Sequence, residues 1–276
     1  MEVSKIRELL VELDAQKQEP YPVALSLEYL GGGGSDPWRC EADNGLKYVV
    51  KAQNNGQDIY QQYRENGQSL KVLATELICG RLGQLFEPII CPPVVVIDIP
   101  EKLASNNTYP NRKVTVSAGP SFGSQWFPGM IDIKQKGRFD LVPPPDQIVR
   151  IIVFQTWLRG EDMAALVSAD GRQSLSIDHG YYLTGSSWET AKLANPLPVS
   201  PVQMSQFHQQ IDATVFQTVL EELQMLKESV IIKAFAAIPQ EWGGTVEFRV
   251  ELANYVLQRR DSVAQAISTI WKGASI

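Results

Sequence analysis

The chain has 276 residues, 44% hydrophobic and 20% charged, which fits an ordinary globular protein built as one large domain or as two lobes sharing a cleft. Its formal net charge of −6, with Lys and Arg scattered and no basic block, argues against direct nucleic-acid binding. Cys40, Cys79 and Cys91 form no C-x-x-C pair, Met1–Gln18 is too charged for a secretory signal, and no apolar run reaches the roughly 18 residues that cross a bilayer; a reducing, cytoplasmic setting without a disulfide framework, zinc knuckle or membrane contact is expected.

Residues 4–18 carry Ile6, Leu9, Leu10 and Leu13 at helical spacing and predict an amphipathic helix. A strand-like run over 22–30 leads into Gly31–Gly34 and Ser35. Residues 37–53 predict two strands around the hairpin signal Asn44-Gly45, with Lys51 closing the second. A helix is expected over 69–86 with Glu76 in its middle, then a buried strand at 94–99 and another strand with a glycine-containing turn over 113–127. The character then changes. Residues 146–160 predict an apolar helix, 175–183 a short strand and a loop, and 203–217, 218–236, 244–258 and 261–271 four helices. The stretches 107–123, 141–146 and 194–201, rich in Pro and Gly, read as loops. Strands first and helices second predict an α+β chain with a cleft between its halves.

Four constellations bear on chemistry. Four consecutive glycines between two strands are either a flexible hairpin loop or a backbone cradle for phosphate oxygens; the run matches neither G-x-G-x-x-G nor G-x-x-x-x-G-K-[ST], so a Rossmann or Walker site is not supported. Lys51 follows that loop on a strand, and Glu76 lies 25 residues later on a helix, the order in which kinases place a phosphate-holding lysine and the glutamate that positions it. The ordinary alternatives are a solvated lysine and a solvated helix residue. In Leu175-Ser176-Ile177-Asp178-His179-Gly180 an aspartate follows a buried strand and precedes x-Gly, as in a metal-binding loop or a plain turn. Asp162 lies 16 residues before Asp178, after a helix, the relative place of a kinase catalytic aspartate or of an acidic helix-ending turn. His179 and His208 are too few for a rich metal site, no G-x-S-x-G elbow is present, and Trp126, Trp157, Trp188 and Trp242 read as packing residues.

In order and spacing, GGGGSDPW, DNGLKYVVK, TELICGRLGQLF with PPVVVID, AGPSFGSQWF, VFQTWLRGED, LSIDHGYYL and IPQEW with LQRR resemble the HipA-like kinase family, and in particular the short bacterial proteins made of that kinase domain alone. The resemblance covers about residues 23–265. It implies a two-lobed protein-kinase-like α+β fold, with a strand-rich N-lobe over 1–127 and a helical C-lobe over 128–276. It implies ATP and Mg as cofactors and transfer of a phosphoryl group to a Ser or Thr hydroxyl of a protein or another acceptor. Lys51 resembles the phosphate-holding lysine, Glu76 its helical partner, Asp178 the metal ligand and Asp162 the catalytic base. Gly32, Gly33, Gly34 and Ser35 resemble the phosphate-covering loop, and the backbone from Gln125 to Phe127 the hinge that meets adenine. One stretch departs from the family pattern. The family reads Asn-x-Asp-Arg with a second asparagine about five residues on, whereas Gly160-Glu161-Asp162-Met163-Ala164-Ala165-Leu166-Val167 lacks both asparagines and the arginine. Glu161 and Asp170 are the nearest other oxygen ligands. Two readings follow: an active kinase, or a pseudokinase that binds nucleotide or scaffolds a partner.

Overall fold

The computed structural model describes residues 1–31, 36–53, 71–110, 115–132, 144–160, 164–183 and 213–273. The order begins α1 (Val3–Ala15), β1 (Ala24–Tyr29), β2 (Trp38–Ala42), β3 (Lys47–Lys51), α2 (Lys71–Gly83), β4 (Val94–Ile99), α3 (Glu101–Ser105) and β5 (Gly119–Gln125). It continues with β6 (Met130–Asp132), α4 (Pro145–Trp157), β7 (Ala164–Ser168), β8 (Ser174–Ile177), α5 (Ala213–Met225), α6 (Glu228–Lys233), a 3-10 turn at Gln240–Trp242 and α7 (Val246–Gly273). The mixed α+β reading, strands first and helices second, stands.

The first sheet has five strands in the order β1-β2-β3-β5-β4, all antiparallel. Alternation sets its faces: in β3, Tyr48 and Val50 are buried and their neighbours Lys47 and Val49 are less so. The β2–β3 hairpin turns at Asn44-Gly45 as its sequence predicts, with Gly45 at φ 78° and its N–H donating to the Ala42 carbonyl at 3.0 Å. The strand expected over 113–127 starts only at Gly119, and its glycines do not make a turn. Gly123 sits within β5 opposite Val50 and Val95. A Cβ there would lie 2.5 Å from Ile97 Cγ1, so glycine lets the two strands close up.

A second, three-stranded sheet runs β6-β7-β8. No strand is expected from the sequence at 164–168, yet pairing of Leu166 with Leu175 and of Ile131 with Val167 makes β7 from Ala164 onward. Arg259-Arg260, read as the break between helices 244–258 and 261–271, lies inside the single helix α7. Arg259 Nε and Nη2 donate to the carbonyls of Trp157 and Thr156, both at 2.7 Å, and Arg260 Nη1 donates to that of Leu226. These charges hold α7 to its neighbours and so do not end it. The break expected at 217/218 falls instead between Met225 and Glu228, where Lys227 is extended.

The largest core joins α2, α4, α5, α6 and α7, and α1 belongs to it. Ile6 and Leu10 are fully buried there, each contributing about 1.5–3 kcal/mol. A smaller core under the first sheet gathers Trp38, Tyr48, Val50, Ile97 and Tyr109.

Candidate active site

Tyr48 and Val50 anchor β3 in the sheet core, and alternation turns Lys51 to the opposite face, where it is 7% exposed. α2 carries Leu73, Leu77 and Leu82 and has no internal proline, and it buries nearly every position, Glu76 at 1% exposure included. Neither residue is the solvated one that its ordinary alternative required. A charge so placed demands a partner. Lys51 Nζ donates to Glu76 Oε1 and, at 2.5 Å, to Asp178 Oδ1. Three elements as many as 127 residues apart in sequence thus converge on one ammonium.

The loop after β8 is shaped to make this meeting. Asp178 is left-handed, φ 61°, a region that costs most residues but that aspartate tolerates. The turn puts its carboxylate on Lys51 and brings the next backbone N–H, of His179, to Glu76 Oε2 at 2.9 Å. Gly180 lies so close to α2 that a Cβ would sit 2.6 Å from Val72 Cγ1 and 3.3 Å from Glu76 Oε1. Asp-x-Gly is therefore a geometric requirement of this loop and no ordinary exposed turn.

His179, which the sequence reading weighed only as a metal ligand, is a further member of the cluster. Its ring is buried, packs edge-on against Phe154 and Tyr182, and holds Nε2 3.0 Å from Ser176 Oγ and 3.8 Å from Cys91 Sγ. Burial, reinforced by Lys51, pushes its pKa down to about 3, so at neutral pH the ring is uncharged and its Nδ1, 3.9 Å from Glu76 Oε2, forms no ion pair. The available signal was its place between the aspartate and the glycine. A ring there must fill the space beneath the loop.

The electrostatics follow from one cation and two carboxylates. Burial opposes the Lys51 charge, but Glu76 and Asp178 outweigh it and hold the ammonium protonated. Lys51 in turn holds the Asp178 carboxyl below its ordinary range. Burial pushes Glu76 upward against the pull of Lys51 and the His179 N–H. Asp178 remains the outermost member, its side chain 47% exposed. A hard, oxygen-seeking cation fits such a carboxylate at the solvent edge of a site with negative excess.

At the other end of β5 the backbone expected to be a hinge is partly engaged. The Gln125 N–H donates to the Pro93 carbonyl and the Trp126 N–H to that of Lys47, both at 2.8 Å. Among the described residues the Phe127 N–H meets no backbone carbonyl. The ends of the glycine loop are clipped together, with the Leu30 N–H on the Pro37 carbonyl at 3.1 Å and the Tyr29 hydroxyl on Asp36 Oδ1 at 2.7 Å. Gly32, Gly33, Gly34, Ser35 and Asp162 lie outside the described residues.

The model of one family, described as HipA-like kinase, matches residues 27–268 of the chain. The chain belongs to the HipA-like kinase family. Within it, Lys51, Glu76 and Asp178 all fall inside the matched span. No curated protein sequence matches the chain. Among solved structures, the chain is similar to the Golgi casein kinase with Mn/ADP bound (TM-score 0.46, 11% identity, 98% of this chain and 78% of that one). It is also similar to hydra Fam20 with sugar (TM-score 0.48, 12% identity, 98% and 96%). Among the described residues, no helix is long and apolar enough to cross a membrane.

Proposed function

We propose that this HipA-like kinase binds Mg-ATP between its strand-rich part, residues 1–127, and its helical part, residues 128–276, and transfers the γ-phosphoryl group to a Ser or Thr hydroxyl of a protein. The observation that carries this reading is the convergence of Lys51, Glu76 and Asp178 on one another in a family of kinases. Lys51 would donate to phosphate oxygens while Glu76 holds its stem in place, and Asp178 would hold the metal. The magnesium ion supplies neutralisation of phosphate charge. Gly32–Ser35 would cover the phosphates, the Phe127 N–H with the neighbouring Gln125 would meet adenine, and Asp162 would accept the hydroxyl proton. The test is labelling from γ-labelled ATP with magnesium. The expected result is incorporation by the native chain, alone or with an acceptor, and none by Asp162→Ala. Equal labelling by that variant would remove Asp162 from the role of base.

A second reading rests on a separate observation. The position five residues after Asp162 is Val167, an apolar residue fully buried in β7. It offers no oxygen to a second metal. A pseudokinase, binding nucleotide without transferring it, fits that position better. It predicts a higher melting temperature with Mg-ATP and no labelling of any acceptor.

A further inference from the structure

α2 carries Glu76 in its middle and, farther along at Arg81 and the residues just after it, borders a groove. This groove lies between the chain leaving α1, the C-terminal part of α2 and the end of α6, and encloses about 590 Å³, within the range of pockets that hold small organic ligands. Leu85 and Val94 supply apolar lining. The charged lining is Lys17, Arg81 and Lys233 against the single carboxylate of Glu19.

Arg81 is the informative member. Its Nη1 donates to the carbonyls of Ala234 at 3.2 Å and Ala236 at 2.6 Å, which fixes the guanidinium against the turn after α6. Among the described residues no carboxylate pairs with it. Arg150, Arg249 and Arg260 all have one. Arg259 has none among the described residues, but it stacks over Tyr255 and is not part of this groove's lining. Burial lowers the Arg81 pKa to about 10, which still leaves it charged at neutral pH. A partly buried cation that no carboxylate pairs with among the described residues favours an incoming anion, and the guanidinium edge left over from its carbonyl bonds matches the oxygens of a carboxylate or a phosphate.

We infer that this groove binds a small organic anion, a carboxylate or phosphate carried on a partly apolar body, with Arg81 as its fixed donor and Lys17 and Lys233 as flanking charges. The three cations come from three separate segments, so the site exists only in the folded chain. The inference is independent of nucleotide binding, and its test uses the full chain without ATP. Melting temperature and calorimetric titration are followed with phenyl phosphate, with benzoate and with uncharged phenol. The expected result is a saturable upward shift for one or both anions and none for phenol; the better anion identifies the head group. Lys17→Ala with Lys233→Ala, both exposed positions whose loss spares the fold, weakens binding on the order of tenfold. Arg81→Gln abolishes it, and Arg81→Lys restores part of it. The proposal is overturned by no shift with either anion at millimolar concentration, by an equal shift with phenol, or by full affinity in the double lysine variant. That last variant decides the matter even if Arg81→Gln fails to fold.

Discussion

Two buried cations in this molecule are handled in opposite ways. Arg249 meets Asp14 through both terminal guanidinium nitrogens, Nη1 at 2.9 Å and Nη2 at 2.5 Å, while Nε and Nη1 also reach the carbonyls of Gly244 and Phe235. Asp14 Oδ1 also accepts the Ala237 N–H at 2.9 Å. Charge is cancelled one to one and every group has a partner, so nothing is left over for a ligand. Lys51, by contrast, faces two carboxylates, one sealed in α2 and one at the solvent edge. The balance is one positive charge short. A pair that only holds structure together closes its own account of charge, whereas a site leaves a remainder that something else must meet.

That contrast can be broken first at Lys51. In Lys51→Met the melting-temperature rise with Mg-ATP should vanish, and any phosphoryl transfer should fall at least about 100-fold, roughly 2.7 kcal/mol of transition-state stabilisation. Arg249→Ala should do the reverse. Urea unfolding should show a loss of about 1.5–3 kcal/mol while the nucleotide response of the folded protein is kept. Loss of that response in Arg249→Ala would erase the distinction between the two regions. Gly180→Ala tests the loop itself: the added Cβ meets Val72 at 2.6 Å, and about 1–3 kcal/mol of stability should go together with the metal-dependent part of the response.

Acid separates the regions more gently. The His179 pKa lies near 3 in the folded protein against an ordinary 6.5, so the unfolded chain takes up a proton that the folded chain refuses. Stability should therefore fall as pH drops below about 6.5, by roughly 1.4 kcal/mol per pH unit until the folded value is approached. His179→Phe, which cannot titrate, should flatten that slope in denaturant melts between pH 6.5 and 4.5. At Asp14, desolvation raises the carboxyl pKa, but Arg249 and the Ala237 N–H overcome it and the net direction is down. Its contribution is present above the ordinary carboxylate range and is lost only as pH falls through the lower folded value. The staple should thus outlast the site in acid.

Much of the site was legible because its residues follow local rules. Lys51 ends an alternating strand, Glu76 sits in a leucine-bearing helix, and Asp178 follows the alternating Ser174-Leu175-Ser176-Ile177. What the pattern could not supply was their depth. Glu76 between Leu73 and Leu77 reads equally as the edge of a packed face, and only the arrival of His179 and Gly180 over α2 buries it. The misread elements have one physical cause in common. Charged or glycine residues look like punctuation in a sequence, yet Arg259, Arg260 and Gly123 are spent on tertiary contacts inside continuous elements. β7 is a related case: on one side it pairs with β6, where Ile131 lies opposite Val167, and such a remote partner is outside any window that periodicity scans. Arg81 drew no notice either, since an arginine in the last turn of a helix is the commonplace arrangement.

The packing of α1 has a consequence for the order in which the protein can be made. Ile6 and Leu10 are covered by helices that include α7, and Asp14 reaches Arg249 across 235 positions of sequence. During synthesis α1 leaves the ribosome long before α7 exists. The strands of the first sheet can pair meanwhile, since β1, β2 and β3 are neighbours in sequence, but the main core waits for α7. A nascent chain stopped before Val246 would carry an assembled hairpin array and an α1 with its apolar face uncovered.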